Sequence, residues 1–266
     1  MITFFKQVQI AWRARALISV LTRREISARY AGSAGGVLWA YVQPLLTIAA
    51  YYLVFDIVFS MRMGDQAPVR SVGTFLIVGA LPWMAFCDCV SRGMNSLLDA
   101  GDVLKKNPLP IVLFPTRSIL ASALVYAPLM LFLVLVYTPL HQFSLALLSF
   151  PILLLLQLAM SLSLGYLLAI AAAALRDTLQ FVAFFFSVGI FLSPVLFPVT
   201  MFPADWRWVL WLNPMTALVT GYQAILLQGQ WPAVSVWWVT ATWLVLICTV
   251  LNLFIVRSRD ELLDWL

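Results

Sequence analysis

Three cysteines, one histidine and eleven acidic side chains are the groups in this chain that could bind a metal, act as nucleophiles or move protons. Cys87 and Cys89 form a C-x-C pair, a spacing that can chelate a metal, but no histidine or further cysteine stands near them. Cys248 and His141 lie far along the chain. Each cysteine sits inside an apolar run, so buried structural thiols are expected and a metal site is not. No phosphate cradle of the form G-x-x-x-x-G-K-[ST] occurs. The glycines from Gly32 to Gly36 have no lysine after them and open an apolar segment instead. A membrane-embedded glycan- or lipid-modifying enzyme needs clustered carboxylates or a metal at the interface, whereas the acidic residues here are single and dispersed. Asp56 and Asp88 fall inside apolar stretches, close to their ends, and read as end-of-helix charges without the titratable relay that proton coupling needs. No catalytic residue is expected, and no cofactor on this chain.

The elements that carry these residues are set by composition. Of 266 residues, 63% are apolar and 10% charged, with a mean hydropathy of +0.98. A soluble domain is nearer 45–50% apolar and about 25% charged, so lipid must be the solvent for much of this surface. A helix crossing about 30 Å of hydrocarbon needs roughly 20 apolar residues. Six stretches qualify: 37–59, 72–90, 111–137, 145–174, 179–196 and 234–256. The stretch 197–233 is apolar but broken by Pro198, Pro203, Pro214 and Pro232, and is expected to dip in from the outside and return. The expected fold is therefore an all-α integral membrane protein with six transmembrane helices and a re-entrant helical segment between spans five and six.

Lys and Arg orient this plan. Six spans place thirteen basic residues on the side of the termini and three (Arg62, Arg70, Arg207) on the other. Both termini are then cytoplasmic in a multi-pass membrane protein. The net charge of +5 follows this membrane topology and does not indicate nucleic acid. Residues 1–36 carry an apolar stripe (Ile10, Ala14, Leu17, Leu21) beside Lys6, Arg13 and Arg24. Several arginines at the bilayer centre would each cost about 2.5–3.5 kcal/mol, so this segment is expected to lie along the interface as an amphipathic helix. Lys6, Arg13 and Arg15 also interrupt any signal-peptide core. A lipid anchor and a lever touching a cytoplasmic partner are both open readings of it. The plan divides as 1–36 interfacial, 37–256 transmembrane and 257–266 cytoplasmic tail.

Local patterns then coincide in order along the chain. They are Arg29-Tyr30-Ala31-Gly32-Ser33, Gly36-Val37-Leu38-Trp39 with Gln43-Pro44, Gly79-Ala80-Leu81-Pro82-Trp83, Asn107-Pro108-Leu109 with Phe114-Pro115, Leu175-Arg176-Asp177, Leu192-Ser193-Pro194-Val195, and Leu212-Asn213-Pro214-Met215. Together they resemble the permease subunits of ABC-2-type exporters of capsular polysaccharide, O-antigen and teichoic acid. Two positions depart from that pattern. Ala34-Gly35-Gly36 stands where the family often has Leu-Gly, and Tyr222 is followed by Gln223 where Arg is common.

The resemblance implies a homodimer of this permease over two ABC ATPase subunits, which hold ATP and Mg, with a lipid-linked polysaccharide as cargo; a periplasmic adaptor is an open addition. It implies a coupling helix around Leu98, Asp99, Asp102 and Lys105, with a smaller contact at Arg176 and Asp177. It also implies that the first and fifth spans line the pathway. A sugar polymer presents hydroxyl edges and apolar ring faces, so its pathway should offer aromatics and neutral polar groups. Trp39, Tyr41, Gln43, Tyr51 and Tyr52 are the candidates on the first span, and Phe181, Phe184, Phe185, Phe191 and Ser193 on the fifth. Pro194, Asn213 and Pro214 are candidates for an outer gate, with Asn213 placed to satisfy backbone groups freed by Pro214. The alternative within transporters is an ABC-2 exporter of a small molecule or drug.

Overall fold

The structure is a computed structural model that describes residues 2–60, 69, 71–106, 109–141, 144–258 and 262–265. Among these residues it is helical with no strand. Two N-terminal helices, α1 (Ile2–Arg13) and α2 (Arg15–Arg29), precede α3 (Trp39–Tyr51), which runs on as a wider π-helical segment over Tyr52–Val58. Then follow α4 (Val72–Asp99), the short α5 (Gly101–Lys106), α6 (Leu113–His141), α7 (Phe150–Ala174) and α8 (Thr178–Gly189). The chain closes with α9 (Arg207–Leu210), α10 (Met215–Gln228), α11 (Val234–Arg257) and α12 (Leu262–Trp265).

Among the described residues, five helical stretches are long and apolar enough to cross a bilayer: Gly36–Val58, Val72–Asp99, Leu113–Val136, Leu145–Ala174 and Val234–Arg257. The shortest has 23 residues, about 35 Å at 1.5 Å per residue, against about 30 Å of hydrocarbon. The stretch expected as span five differs. Its helix α8 has 12 residues and gives way to turns from Ile190 onward. Pro194 explains the loss, because it offers no N–H to the preceding turn and disfavours helix at Ser193. The proline-broken stretch holds two short 3-10 turns, α9, and the 14-residue α10, which stops at Gly229 in the left-handed conformation with φ 64°.

Helix α4 is the hub. In its apolar window 78% of residues are buried, against 11% for the first stretch and 22% for α11. Phe75, Leu76, Leu81 and Phe86 of α4 pack with Leu153 and Met160 of α7 and with Met215, Leu218 and Tyr222 of α10. Close approach of α4, α6 and α7 depends on two glycines. A Cβ at Gly93 would lie 2.6 Å from Ile119 Cδ1 and 3.2 Å from the Gly165 Cα. Small residues at such crossings let helix backbones pack where lipid offers no competing hydrophobic drive.

Asp56 and Asp88 are both engaged at helix ends or on helix surfaces. Asp56 accepts from the Gly73 N–H at 3.0 Å and from the Ser71 hydroxyl, so it closes the start of α4. Asp88 pairs with Arg92 one turn on, Nε to Oδ1 3.0 Å. The three cysteines are free thiols. Cys89 lies buried against the Ile119 carbonyl and Cys248 lies 3.4 Å from the Ser163 hydroxyl.

Gly93→Val drives two methyl groups into Ile119 and the α7 backbone. It is expected to lower stability by about 1–3 kcal/mol, read as a reduced thermal midpoint of the detergent-solubilised chain, with Gly93→Ala between that variant and wild type.

Candidate transport pathway

The expected pathway residues fall into two groups. Phe181, Phe184, Phe185 and Phe191 are each 60–66% exposed, and the Gln180 side chain is exposed beside them. Trp39 and Tyr52 are about half exposed, and Gln43 is exposed on the same helix as Trp39. Tyr41 and Tyr51 are half-buried and pack on the main core. Ser193 is apart from both exposed faces: it is fully buried, and its Oγ has no partner among the described residues. The face of α8 opposite its free rings is anchored. Phe186 meets Trp83 and Phe86 edge-on, with ring centroids 6.4 Å and 6.1 Å apart. Between α8 and α4, α7 and α11 lies an apolar cavity of about 620 Å³ bordered by Trp83, Phe86, Phe184, Leu212 and Trp243. The short helix is thus held on one side by Phe186 and by Val182 and Leu179, which pack with Met94 and Ala172, while its Phe181, Phe184 and Phe185 rings stay exposed.

The turn after α8 is held by two side-chain amides. Asn213 Nδ2 donates to the Gly189 carbonyl at 3.1 Å, and its Oδ1 accepts from Met215 N–H at 3.0 Å. One residue thereby closes the end of α8 and, next to Pro214, the start of α10. Gln223 Nε2 donates to the Pro194 carbonyl at 2.6 Å. Pro194 itself is buried, and Gly79 of α4 lets the backbone of Val195 come within 3.0 Å of where its Cβ would stand. Pro194, Asn213 and Pro214, the expected gate residues, therefore belong to one joint.

A further polar chain lies inside the bundle. Tyr222 OH donates to Gln157 Oε1 at 2.8 Å, and Gln157 Nε2 donates to the Pro82 carbonyl at 3.0 Å. Sequence reasoning gave neither Gln157 nor Gln223 a role. The usable signal was a lone amide in a long apolar run, because such a group must find a protein partner where no water reaches.

The opposite end of the bundle carries the basic residues. Arg29 Nη1 donates to Ser122 Oγ at 3.0 Å and Nη2 to the Ser118 carbonyl at 2.9 Å, fixing α2 on the first turns of α6. Glu25 lies 3.7 Å from both Arg29 and Arg117. Burial and the neighbouring Arg92 pull the Arg29 guanidinium below its ordinary value, and Asp88 and Glu25 oppose them. An arginine stays charged under such shifts.

The expected short helix in 96–105 is split. Residues to Asp99 continue α4, and α5 follows after Ala100. It is two-faced: Leu97, Ala100 and Leu104 are buried with Tyr166, Ile170 and Leu262, while Asp99, Asp102, Val103 and Lys105 are exposed. Leu98 is half-buried and packs, as does Leu179 of α8, on the cluster of Met94, Ala172 and Val182. Arg176 and Asp177 are exposed just before α8, where the Asp177 carbonyl accepts from the Gln180 and Phe181 N–H groups. Asn107 and Pro108 lie outside the described residues.

Residues 16–227 match the family described as ABC-2 type transporter. The chain is 33% identical over 230 residues to an O-antigen export system permease protein RfbA of Myxococcus xanthus, covering 85% of each chain. It is 23% identical to a protein of the same name from Klebsiella pneumoniae, covering 80% of this chain and 81% of the relative. It is also 23% identical to the polysialic acid transport protein KpsM of Escherichia coli, covering 77% and 79% respectively.

Asn213→Ala removes both bonds at the joint. It is expected to lower stability by about 1–3 kcal/mol, seen in the thermal midpoint; Asn213→Asp keeps the acceptor for Met215 N–H but sets a carboxylate oxygen against the Gly189 carbonyl, and is expected to do no better than Asn213→Ala.

Proposed function

The chain belongs to the ABC-2 type transporter family, and we propose that it is the permease subunit of an exporter moving a lipid-linked cell-surface polysaccharide across the bacterial inner membrane. The observation that carries this reading is the 33% identity to an O-antigen export permease along 85% of both chains. The chemistry of the free faces supports it. The exposed rings of α8 and the Trp39, Gln43 and Tyr52 side chains of α3 offer apolar and neutral polar surface, suited to a sugar chain that must slide without a fixed charge to trap it.

ATP and Mg belong to a separate subunit, since this chain has no phosphate cradle. The working unit is a homodimer with two such ATPases. A second copy supplies the packing that the first apolar stretch lacks, with 11% of its window buried. Thirteen basic residues place the α2–α5 end in the cytoplasm with both termini. The exposed face of α5, with Arg176 and Asp177 nearby, is the ATPase contact. The proline-broken stretch re-enters from the outside and closes the outer mouth, with the Pro194–Asn213–Pro214 joint as its gate.

Co-reconstitution of the chain with its ATPase and a lipid-linked glycan in vesicles tests the reading. Glycan translocation and glycan-stimulated ATP hydrolysis are the expected results; a chain that recruits no ATPase, or moves a drug-like probe and no glycan, overturns it.

Charge reversal at the exposed pair, Asp99→Lys with Asp102→Lys, is expected to cut glycan export by tenfold or more, about 1.4 kcal/mol or above in coupling, with the thermal midpoint unchanged. Export at the wild-type rate would remove α5 as the coupling element.

A further inference from the structure

At the end of the bundle that holds the starts of α4 and α11 lies a second, smaller cavity of about 320 Å³. Its size is at the lower end of the roughly 300–1,000 Å³ typical of small-ligand sites. Phe75 of α4 and Trp211 give it aromatic walls. Thr200, Gln223, Gln228 and Ser235 give it hydroxyl and amide groups, and among the described residues no acidic or basic side chain lines it; Arg207 stands beside it with Nε and Nη2 donating to the Phe202 and Thr200 carbonyls at 3.0 Å each. The polar groups are available. The side chains of Thr200, Gln228 and Ser235 bond to no other described residue, and all three residues are exposed. Gln223 spends its amide nitrogen on Pro194 and keeps its oxygen as an acceptor.

This lining differs from the apolar cavity beside α8. Apolar walls with a few placed neutral donors and acceptors suit a ligand that has an apolar face and a hydroxyl edge together. A hexopyranose has that form. A lipid tail would leave the amides and hydroxyls unmet, and a sugar acid would bring a carboxylate to a pocket with no cation in its lining among the described residues, the nearby Arg207 being bonded to backbone carbonyls. We propose that this pocket is a binding subsite for one neutral sugar unit, separate from the rings of α8 and α3. That the sugar is a unit of the exported chain rests on the function proposed above; the neutral-sugar chemistry rests on the pocket alone.

The site also touches the joint. Gln223 lines the pocket and holds Pro194, so a sugar that engages its amide sits one side chain away from the turn after α8.

Saturation-transfer NMR on the full chain in nanodiscs tests the site with the methyl glycosides of glucose, mannose and N-acetylglucosamine, and with methyl glucuronide. A saturable signal is expected from at least one neutral probe, with the glucuronide about tenfold weaker. The double variant Gln228→Leu, Ser235→Val changes exposed side chains that hold nothing else in place, and is expected to reduce the neutral signal about tenfold. No saturable signal from the neutral probes overturns the proposal, as does an equal signal from the glucuronide. A signal that the double variant leaves intact assigns the sugar to another surface and also overturns it. The vesicle assay separates the two readings: export by the wild-type chain without binding here sinks the subsite alone, and binding here without glycan export sinks the export reading alone.

Discussion

The Gln157 amide that donates to the carbonyl of Pro82, 3.0 Å away, shows the constraint on which the rest of the structure depends. In hydrocarbon a backbone group has no water to turn to, so every break in a helix must be met by another part of the protein. Helix α4 runs unbroken through Pro82, and the chain leaves helical geometry around Pro194 and at Pro214. Side-chain amides meet the backbone at all three prolines: Gln157 donates to the Pro82 carbonyl, Gln223 donates to the Pro194 carbonyl, and Asn213 accepts from the Met215 N–H beside Pro214. Two of these amides come from the segment around α10, which explains why a 14-residue helix too short to span is buried along most of its length. It serves the polar needs of α4, α7 and the turn after α8, and in doing so fixes their relative positions.

The same constraint explains why the first apolar stretch and α8 look different from the central helices. Helices α4, α7 and α10 bury their surface inside this chain, with α4 as their common neighbour. The first stretch and α8 present rings and amides outward instead. An exposed phenylalanine is at home in lipid, but Gln43 and Gln180 are not, so these faces need water or protein beside them. That requirement fits a water-filled pathway or a second protomer, and a lipid-only surround would leave both amides unmet.

Much of this was legible in the sequence. The long spans follow from runs of about 20 apolar residues, and Asn213 beside Pro214 could be read as a donor and acceptor for interrupted backbone. Asp56 was legible as a charge near the end of its helical stretch; Asp88 was expected at a helix end too, but α4 runs on to Asp99, and Asp88 sits about three turns earlier on its surface, paired with Arg92. The length of α8 was not. Residues 179–196 are as apolar as a full span, and hydropathy cannot distinguish a straight helix from one that ends at Gly189 and turns before Pro194. The Tyr222–Gln157–Pro82 chain was also hidden, since its members are 65 and 75 positions apart and each alone is an isolated polar residue. Gln223, a departure from the resembled pattern, looked like a loss of charge. In the folded chain it is a neutral clamp, a role that needs the Pro194 carbonyl in place to be seen.

Helix α4 then joins the two ends of the molecule. Its 28 residues span about 42 Å at 1.5 Å per residue. At one end Asp56 and Ser71 close its first turn, and Val195 packs on Gly79 two turns in. At the other end it runs into Asp99 and, after Ala100, into α5 with its exposed charged face. Buried along most of its length, such a helix moves as one body. If α5 is the ATPase contact proposed above, a push there runs along α4 to the Gly79–Val195 contact, and from there to the turn that Gln223 and Asn213 hold. Pro82 lies between, bound through Gln157 to α7 and α10, so the point where α4 could bend is also the point where it is tied to its neighbours. On that reading the braced Pro82 keeps α4 stiff between the two ends, and the joint after α8, held through Asn213 and Gln223, is where movement would be taken up.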